Sequence, residues 1–155
     1  TDKKQILRLS DKLEILRLFS SYRENQLIIV TREAVLQYDL KGGKVLGQTG
    51  VEEGADIRQV VIGKDKIALC GKHVLLITSL ELELITTVKE NFSIQSAYWE
   101  QDSLLFYTTK NHWKYALPNG ETGVLKTLEQ PLHLVRKLTD RKFLAFNVTK
   151  KVFEV

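Results

Sequence analysis

Short apolar runs, separated by polar or glycine-containing turns, recur along the whole chain of 155 residues. Runs rich in branched aliphatic and aromatic side chains predict β-strands, and clusters of Gly, Asn, Asp and Lys between them predict turns. The predicted strands are Glu14–Ser20, Gln26–Thr31, Ala34–Leu40, Lys44–Thr49, Ile57–Ile62, Lys66–Cys70, His73–Thr78, Leu82–Val88, Ile94–Trp99, Leu104–Thr109, His112–Leu117, Val124–Leu128, Leu132–Leu138, Phe143–Val148 and Val152–Val155. This pattern is typical of an all-β protein.

The first twenty residues permit two interpretations. Their apolar residues fit one face of a helix, but Ile6–Leu9 and Glu14–Ser20 can also form two strands around the turn Ser10-Asp11-Lys12. Because every later segment is predicted to be a strand, we interpret this segment as strands as well.

The pattern repeats every 39 residues, since the third strand of each group begins near Ala34, His73, His112 and Lys151. Four short strands in a period of about 40 residues are typical of one blade of a WD-repeat β-propeller. A sheet that is apolar on both faces needs a neighbouring sheet on each side, so blades must stack. We therefore predict one partial β-propeller domain over residues 1–155, with about four blades of four antiparallel strands. The predicted blades span 13–51, 55–90, 93–129 and 131–155, and a first strand near 5–10 belongs to a neighbouring blade.

The last predicted blade is one strand short. Ile6–Leu9 could supply its fourth strand and close a four-bladed ring, which is the lower limit for propellers. The alternative is a segment of a larger ring, whose open sheet edges would tend to pair with another chain.

The clearest single turn lies in Asn111–Leu128. One strand there runs into Leu117-Pro118-Asn119-Gly120-Glu121, and the next apolar run begins at Val124. An Asn-Gly pair adopts positive φ at low cost, which favours a β-hairpin. In the repeat, this hairpin joins the third and fourth strands of the third predicted blade.

Composition narrows the class of protein. The chain is 43% apolar and carries 23 basic and 19 acidic residues, a net charge of +4 with a sequence pI near 9.1. The charges are scattered along the sequence, and without a basic cluster we predict no nucleic-acid partner. No apolar run is long enough for a membrane-spanning helix and no signal peptide opens the chain, so we expect a soluble protein. The single cysteine, Cys70, is interpreted as a core residue in a reducing compartment.

The sequence contains no recognisable catalytic, phosphate-binding or metal-binding motif. His73 and His112 occupy equivalent positions before third strands, which indicates a recurring structural role, and His133 is interpreted as a strand residue. Three acidic pairs fall at turns or strand ends, where solvated carboxylates are usual. They are Glu52-Glu53, Glu81 with Glu83, and Glu100 with Asp102. We therefore predict that the protein is not an enzyme, with no catalytic, cofactor-binding or metal site and no small-molecule substrate.

Aromatic and basic residues interleave in one region only, within the third predicted blade. They are Trp99, Phe106, Tyr107, Lys110, His112, Trp113, Lys114 and Tyr115. Single-stranded nucleic acid could stack on such a platform, but the inner strands of stacked blades also carry large aromatic residues. We favour packing between blades for these side chains.

The usual WD-repeat signatures are mostly missing, and only Tyr38-Asp39, at the end of a third strand, is similar to the Trp-Asp dipeptide. A family resemblance is carried by Ser103–Leu132, which reads SLLFYTTKNHWKYALPNGETGVLKTLEQPL. This segment resembles the alpha subunits of coatomer, the COPI vesicle coat, near the end of their second propeller. Gln26–Leu40, Ile67–Ile77 and Ser96–Glu100 align with the family more loosely.

The resemblance implies that these blades are the last part of a seven-bladed ring, which favours a fragment over a closed four-bladed ring. It implies a non-catalytic scaffold that acts by protein–protein interaction in COPI coat assembly and retrograde Golgi-to-ER transport. The implied partners are other coatomer subunits, notably beta-prime. The implied location is cytoplasmic, with peripheral attachment through the coat to Golgi and vesicle membranes. Neither a cofactor nor a cargo site is implied, since dilysine recognition in the family belongs to acidic surfaces of the first propeller.

Other hypotheses stand beside this one. The chain could be an unrelated WD-repeat propeller that serves as a peptide- or protein-binding platform. An enzyme is disfavoured, because propeller enzymes place catalytic residues on loops around a channel, and the predicted loops here are short and carry no His/Asp/Glu cluster. An isolated fragment with open edges would also be prone to self-association through those edges.

Overall fold

The computed structural model describes residues 15–101, 104–139, 142–147 and 149–154. The predicted strand Ile6–Leu9 and the turn Ser10-Asp11-Lys12 lie outside the described residues. Within the described part of the chain, every regular element is a β-strand. The strands are β1 (Ile15–Ser20), β2 (Gln26–Thr31), β3 (Ala34–Asp39), β4 (Lys44–Gly50), β5 (Gln59–Ile62), β6 (Lys66–Cys70), β7 (Val74–Ser79), β8 (Leu84–Lys89), β9 (Ile94–Gln101), β10 (Leu104–Thr109), β11 (His112–Ala116), β12 (Thr122–Thr127), β13 (Leu132–Thr139), β14 (Lys142–Asn147) and β15 (Val152–Glu154).

The strands form four antiparallel sheets in simple chain order. Their orders are β1-β2-β3-β4, β5-β6-β7-β8, β9-β10-β11-β12 and β13-β14-β15, and we call them blades 1 to 4. Within the described residues, the fourth blade has three strands. The all-β prediction and the repeated four-stranded blade are confirmed.

Stacking of the blades creates the core, because the middle strands bury both of their faces. In β6, Ala68 packs into the core between blades 2 and 3, while its neighbour Leu69 packs into the core between blades 1 and 2. Successive residues of a strand point to opposite faces, so one strand can serve two cores. Burial of each such leucine or isoleucine contributes about 1.5–3 kcal/mol. This explains the near-continuous apolar runs of the middle strands.

Strand boundaries differ from the predictions where a buried apolar residue lies in a turn. Ile57 and Leu82 were predicted to begin strands, but their strands begin at Gln59 and Leu84. Leu82 has a φ of 64°, and Asp56, next to Ile57, has a φ of 49°. Both values are incompatible with an extended strand. Ile57 and Leu82 are nonetheless buried. At these two positions the apolar pattern therefore correctly indicates a buried residue but not a strand.

The predicted hairpin at Asn119-Gly120 is confirmed, with a correction to its geometry. Only Gly120 has a positive φ, of 91°, so the Asn-Gly pair does not share this conformation. Gly120 donates its N–H to the carbonyl of Leu117 over 2.9 Å, and Leu117 donates to Glu121 over 2.8 Å. The Asn119 side chain instead accepts the N–H of Glu121. The loop is a tight turn followed by one left-handed glycine.

The strands of each blade begin and end at two opposite ends of the sheet, which are distinct from its two outermost strands. One of these ends carries the turns between second and third strands together with the connectors to the next blade, and we call it the connector edge. The turns between first and second, and third and fourth, strands lie at the opposite edge. Three equivalent main-chain hydrogen bonds fix the connector edge, each from the residue after an outer strand to the preceding turn. They join Val51 N to Glu33 O (2.8 Å), Glu90 N to His73 O (2.8 Å) and Leu128 N to Asn111 O (2.7 Å).

Candidate functional site

The three histidines belong to three different blades. His73 is exposed in the β6–β7 turn, whereas His112 begins β11 and His133 lies in β13, and both are half-buried. Burial lowers the pKa of His133. Among the described residues, no group of three or more His, Cys, Asp or Glu side chains is arranged to hold a metal ion. The structure therefore brings none of these histidines into a metal-binding cluster.

Cys70 is a core residue, as its apolar surroundings in the sequence predicted. Its side chain is 2% exposed and packs between blades 2 and 3. Burial raises the pKa of the Cys70 thiol to about 12. Because the thiolate is the nucleophilic form, this cysteine is unreactive near neutral pH.

The aromatic residues around Trp113 pack between blades 3 and 4. Phe143 of β14 lies 5.1 Å from Trp113, 5.6 Å from Phe106 and 5.7 Å from Tyr98, measured between ring centroids. The contacts with Trp113 and Tyr98 are edge-to-face, the geometry that aromatic quadrupoles favour. The prediction that these side chains fill the space between blades is confirmed for Trp113 and Phe106. They are not free to stack on bases.

A buried charged group at the junction of blades 2 and 3 was not anticipated from the sequence. The Glu90 carboxylate accepts hydrogen bonds from the Tyr107 hydroxyl (2.5 Å) and the Lys114 ammonium (2.6 Å). The side chains of Glu90 and Lys114 are only 8% and 19% exposed. Burial, and then the adjacent Glu90 carboxylate, raises the pKa of Tyr107 far above its usual value. Both donors are committed to the same carboxylate oxygen, so the group is a link between blades rather than an acid–base pair facing a substrate.

The sequence offers little signal for this link. Glu90 follows the strand β8 and is 24 residues away from Lys114, with no motif to join them. Carboxylates at strand ends are usually solvated. Only the stacking of blade 2 on blade 3 shows that this one is enclosed.

A second charged group links blade 1 to its connector. Asp56 accepts from Arg58 Nε (2.7 Å) and from Arg17 Nη1 (3.1 Å), and Arg17 also donates to the Ile57 carbonyl (2.9 Å). The hydrogen bond from Arg58 is the main cause that holds the pKa of Asp56 below its ordinary value of 3.8. Burial opposes this shift, and the hydrogen bond from Arg17 adds to it. These side chains are partly exposed, so this group stabilises the fold less than the Glu90 group.

A cleft of about 450 Å³ opens at the connector edge between blades 1 and 2. Apolar residues such as Val74 and Leu76 line it, together with Glu52 and Lys89, whose charged atoms lie 3.8 Å apart. Both charged side chains are highly exposed. The cleft is a solvated groove between two blades, and its arrangement does not indicate proton-transfer chemistry.

Comparison with known families gives a match over nearly the whole chain. Residues 1–147 match the family described as "COPA/B second beta-propeller". The chain belongs to this family. As a coatomer propeller, it has the repeated blades that its sequence period predicts, although the Trp-Asp and Gly-His signatures are largely absent.

Curated relatives of this coatomer propeller are alpha subunits. It is 38% identical over 112 residues to the "Putative coatomer subunit alpha" of Schizosaccharomyces pombe, covering 71% of this chain and 9% of that protein. It is 36% identical over 110 residues to the "Coatomer subunit alpha" of Saccharomyces cerevisiae, again covering 71% and 9%. "Coatomer subunit alpha-1" of Arabidopsis thaliana is 34% identical over 112 residues. The coatomer propeller thus spans about 9% of the length of these relatives.

Solved structures with a similar fold have low sequence identity to this chain. A chain of the crystal structure of BBS1N in complex with ARL6DN has a TM-score of 0.62 at 12% identity, covering 91% of this chain and 51% of that one. The WD40 domain of Neurospora crassa Pan2 has a TM-score of 0.58 at 14% identity, covering 84% and 42%. The similarity to the WD40 domain supports the propeller fold of the coatomer segment. In the described part of the coatomer propeller, no helix is long and apolar enough to cross a membrane.

Proposed function

We propose that this chain is a non-catalytic scaffold segment of a coatomer alpha subunit. It acts by protein–protein interaction in assembly of the COPI coat and in retrograde transport from the Golgi to the ER. Its partners are other coatomer subunits, notably beta-prime. The protein is cytoplasmic and associates peripherally, through the coat, with Golgi membranes and vesicles. The observation that carries this proposal is the family match over residues 1–147 of a chain built from propeller blades.

The chemistry of the described residues supports a scaffold. The Cys70 thiol is enclosed and protonated, and the Glu90 carboxylate is committed to Tyr107 and Lys114. The histidines are distributed over separate blades. Such an arrangement suits a rigid body that presents surfaces to partners.

The outer strands supply one candidate surface for those partners. Each of β4, β8 and β12 exposes two consecutive aliphatic side chains. The pairs are Val45-Leu46 and Leu84-Ile85, near the start of their strands, and Val124-Leu125, in the middle of its strand. Single exposed aliphatic residues are common, but a pair on each of three consecutive outer strands forms a series around the rim. We assign this series to contact with other coatomer subunits.

Affinity purification of the full-length protein that contains this chain tests the proposal. We expect coatomer subunits, including beta-prime, to copurify with a tagged wild type. The double variant Val124→Asp with Leu125→Asp should lower their recovery. The matched control, Asn119→Asp with Thr122→Asp, places the same charges on exposed positions of the same blade and should have no effect. A wild type that recovers no coatomer subunit would refute the proposed function. Equal recovery with both variants would refute the rim assignment.

An isolated chain of this length would also self-associate through an open sheet edge. In β15, Val152 and Phe153 are 46% and 64% exposed, and the described residues place no strand beside its outer edge. Sedimentation velocity of the 155-residue chain should detect oligomers that Phe153→Lys reduces, because charged edge residues oppose strand pairing.

The single partial domain over residues 1–155 and its blade limits stay predictions, and limited proteolysis of the same chain tests them.

A further inference from the structure

Charged residues that are far apart in the sequence lie close together at particular edges of the folded blades. Six exposed lysines lie at the connector edge of blades 2 to 4, on the turns or at the adjoining strand ends. They are Lys72, Lys89, Lys110, Lys126, Lys150 and Lys151. In the described residues of the same surface, Glu129 is the exposed carboxylate, while Glu90 is buried and neutralised by Lys114. We call these six lysines the basic edge.

The surroundings of the basic edge carry the opposite charge. Among the described residues at the opposite edge of blades 2 and 3, the turns expose four carboxylates and one lysine, Lys64. The carboxylates are Asp65, Glu81, Glu83 and Glu121. On the connector edge itself, Glu52 lies 3.8 Å from Lys89 in the connector between blades 1 and 2, which ends the basic edge on that side. In the described residues of blades 2 and 3, the exposed positive charge is therefore concentrated at the connector edge.

Equivalent turns hold the basic edge in place. The residue pairs that flank these turns are Cys70 with Leu75 in blade 2 and Thr108 with Trp113 in blade 3, so both turns have four residues. Lys72 and Lys110 thus occupy the same turn position. The Lys72 main chain is further fixed, because its N–H donates to Ala55 O (3.0 Å) and its carbonyl accepts from Ile94 N (2.9 Å). The lysines project from a rigid edge.

An exposed aromatic residue lies within this edge. Phe92 is 47% exposed in the β8–β9 connector, two residues before Ile94, whose N–H is bonded to Lys72. The other aromatic residues near the edge, such as Trp113, are packed between blades. A phenylalanine among lysines is the combination with which peripheral proteins enter the boundary between headgroups and acyl chains.

We propose that the basic edge binds directly to an anionic lipid bilayer, with Phe92 inserted at the interface. The lysines are spread over three blades, two on each, so they match a plane of diffuse negative charge better than one compact anion. Lysine is a hydrated point charge, whereas arginine is the residue suited to bidentate recognition of individual phosphates. A single exposed aromatic residue is a poor platform for stacking successive bases of a nucleic acid. This direct contact goes beyond the coat function, because it requires no other coat subunit.

Flotation of the purified 155-residue chain with vesicles tests the proposal. We expect binding to phosphatidylcholine vesicles that contain phosphatidylserine, little binding to phosphatidylcholine alone, and weaker binding as salt increases. Each lysine near an anionic surface is expected to contribute about fivefold in affinity. Lys72→Glu with Lys110→Glu should therefore weaken binding by at least about twentyfold.

The matched control changes the net charge by the same amount on the opposite edge. Lys41→Glu with Lys64→Glu replaces two exposed lysines there and should change binding by less than about twofold, because salt screens distant charges. Equal losses in the two double variants would overturn the proposal, since binding would then depend on net charge alone. Binding to phosphatidylcholine alone that matches binding to the anionic vesicles would also overturn it.

A tryptophan reporter tests the insertion of Phe92. In the variant Phe92→Trp, emission should shift to shorter wavelength on addition of anionic vesicles and should be quenched by brominated lipids. Val124→Trp, on an exposed outer strand, should show neither change. The native Trp99 and Trp113 are half-buried and give a common background. Absence of quenching in the Phe92→Trp variant would refute insertion.

Binding of an RNA oligonucleotide without binding to vesicles would overturn the lipid proposal in favour of a nucleic-acid partner. The vesicle experiment is independent of the coatomer copurification, because either one can succeed when the other fails.

Discussion

The junction between blades 2 and 3 contains a buried ion pair, whereas the junction between blades 3 and 4 contains four packed aromatic rings. At the first, Glu90 of blade 2 joins Tyr107 and Lys114 of blade 3. At the second, Phe143 of blade 4 packs against Tyr98, Phe106 and Trp113 of blade 3. Blade 3 therefore uses different chemistry on its two faces.

The difference matters because the two chemistries respond differently to substitution. An aromatic cluster loses stability roughly with the apolar area removed, and neighbouring rings can relax into part of the space. A buried ion pair changes abruptly, because removing one partner leaves the other charge without compensation. Substitutions at each junction can separate these responses.

The largest effect is expected at the aromatic junction. Phe143→Ala removes a buried ring that contacts three others, and we expect a loss of about 4 kcal/mol in the free energy of unfolding. Urea denaturation followed by circular dichroism measures this loss. Phe92→Ala, which removes a ring that is 47% exposed in the β8–β9 connector, is the control and should cost no more than about 1 kcal/mol. Equal losses in the two variants would show that the rings between blades are not a principal source of stability.

Removal of the charge at the other junction should cost slightly less. We expect Glu90→Ala to lower the free energy of unfolding by about 3 kcal/mol, because Lys114 is then buried without its partner. Adding Lys114→Met should recover part of this loss, since the second substitution removes the uncompensated charge. Denaturation of the two single variants and the double variant gives the coupling energy. Additive losses would indicate that Glu90 and Lys114 do not act as a pair.

A hydroxyl chain at the aromatic junction should have an intermediate effect. Leu134 N–H donates to Ser96 Oγ (2.9 Å), Ser96 is 2.6 Å from Thr108 Oγ1, and Thr108 donates to the Leu132 carbonyl (2.8 Å). Ser96→Ala leaves the buried N–H of Leu134 without its acceptor, so we expect a loss of about 2 kcal/mol. Thermal unfolding measures it. Ser93→Ala, at a less buried serine of the neighbouring connector, is the control, and a loss no greater than in this control would contradict the hydroxyl chain as a link.

The smallest effect is expected at the exposed charges of blade 1. Because the pKa of Asp56 is lowered in the folded state, its carboxylate stabilises the fold above pH 3.8, and this contribution disappears as the pH falls through the lowered value. Asp56→Asn keeps a residue that tolerates the positive φ at this position. It should cost no more than about 0.5 kcal/mol at neutral pH and nothing in strong acid. Denaturation at several pH values checks this. A difference that persists in acid would point to a cause other than the ionised carboxylate.

The repeat and most of the strands could be predicted from the sequence, because apolar runs and turn residues act over short distances. The strands Gln26–Thr31, Lys66–Cys70 and Leu104–Thr109 agree with the structure at both ends. The assignment of Trp113 to the space between blades was also correct. These features depend on local pattern and on the requirement that an apolar face be covered.

Glu90 and the basic edge could not be predicted in the same way. Both depend on which residues of different blades become neighbours, and neither has a local motif. The sequence shows no basic cluster, because Lys72, Lys110 and Lys150 are each separated by about one repeat. In the folded protein, these lysines lie at the same edge of successive blades. To predict which residues of different repeats contact each other, the relative positions of the blades must be known. Composition and periodicity do not give these positions.

The three main-chain bonds of the connector edge explain why the period persists while the usual signature residues do not. The bonds from Val51, Glu90 and Leu128 to the preceding turns use only an N–H and a carbonyl. Any amino acid can supply the carbonyl, and any except proline can supply the N–H. At the residues that make these bonds, the shape of a blade therefore places little restriction on the side chain. A chain built in this way can acquire lysines, acids or aromatic residues at its rim without altering the frame that presents them.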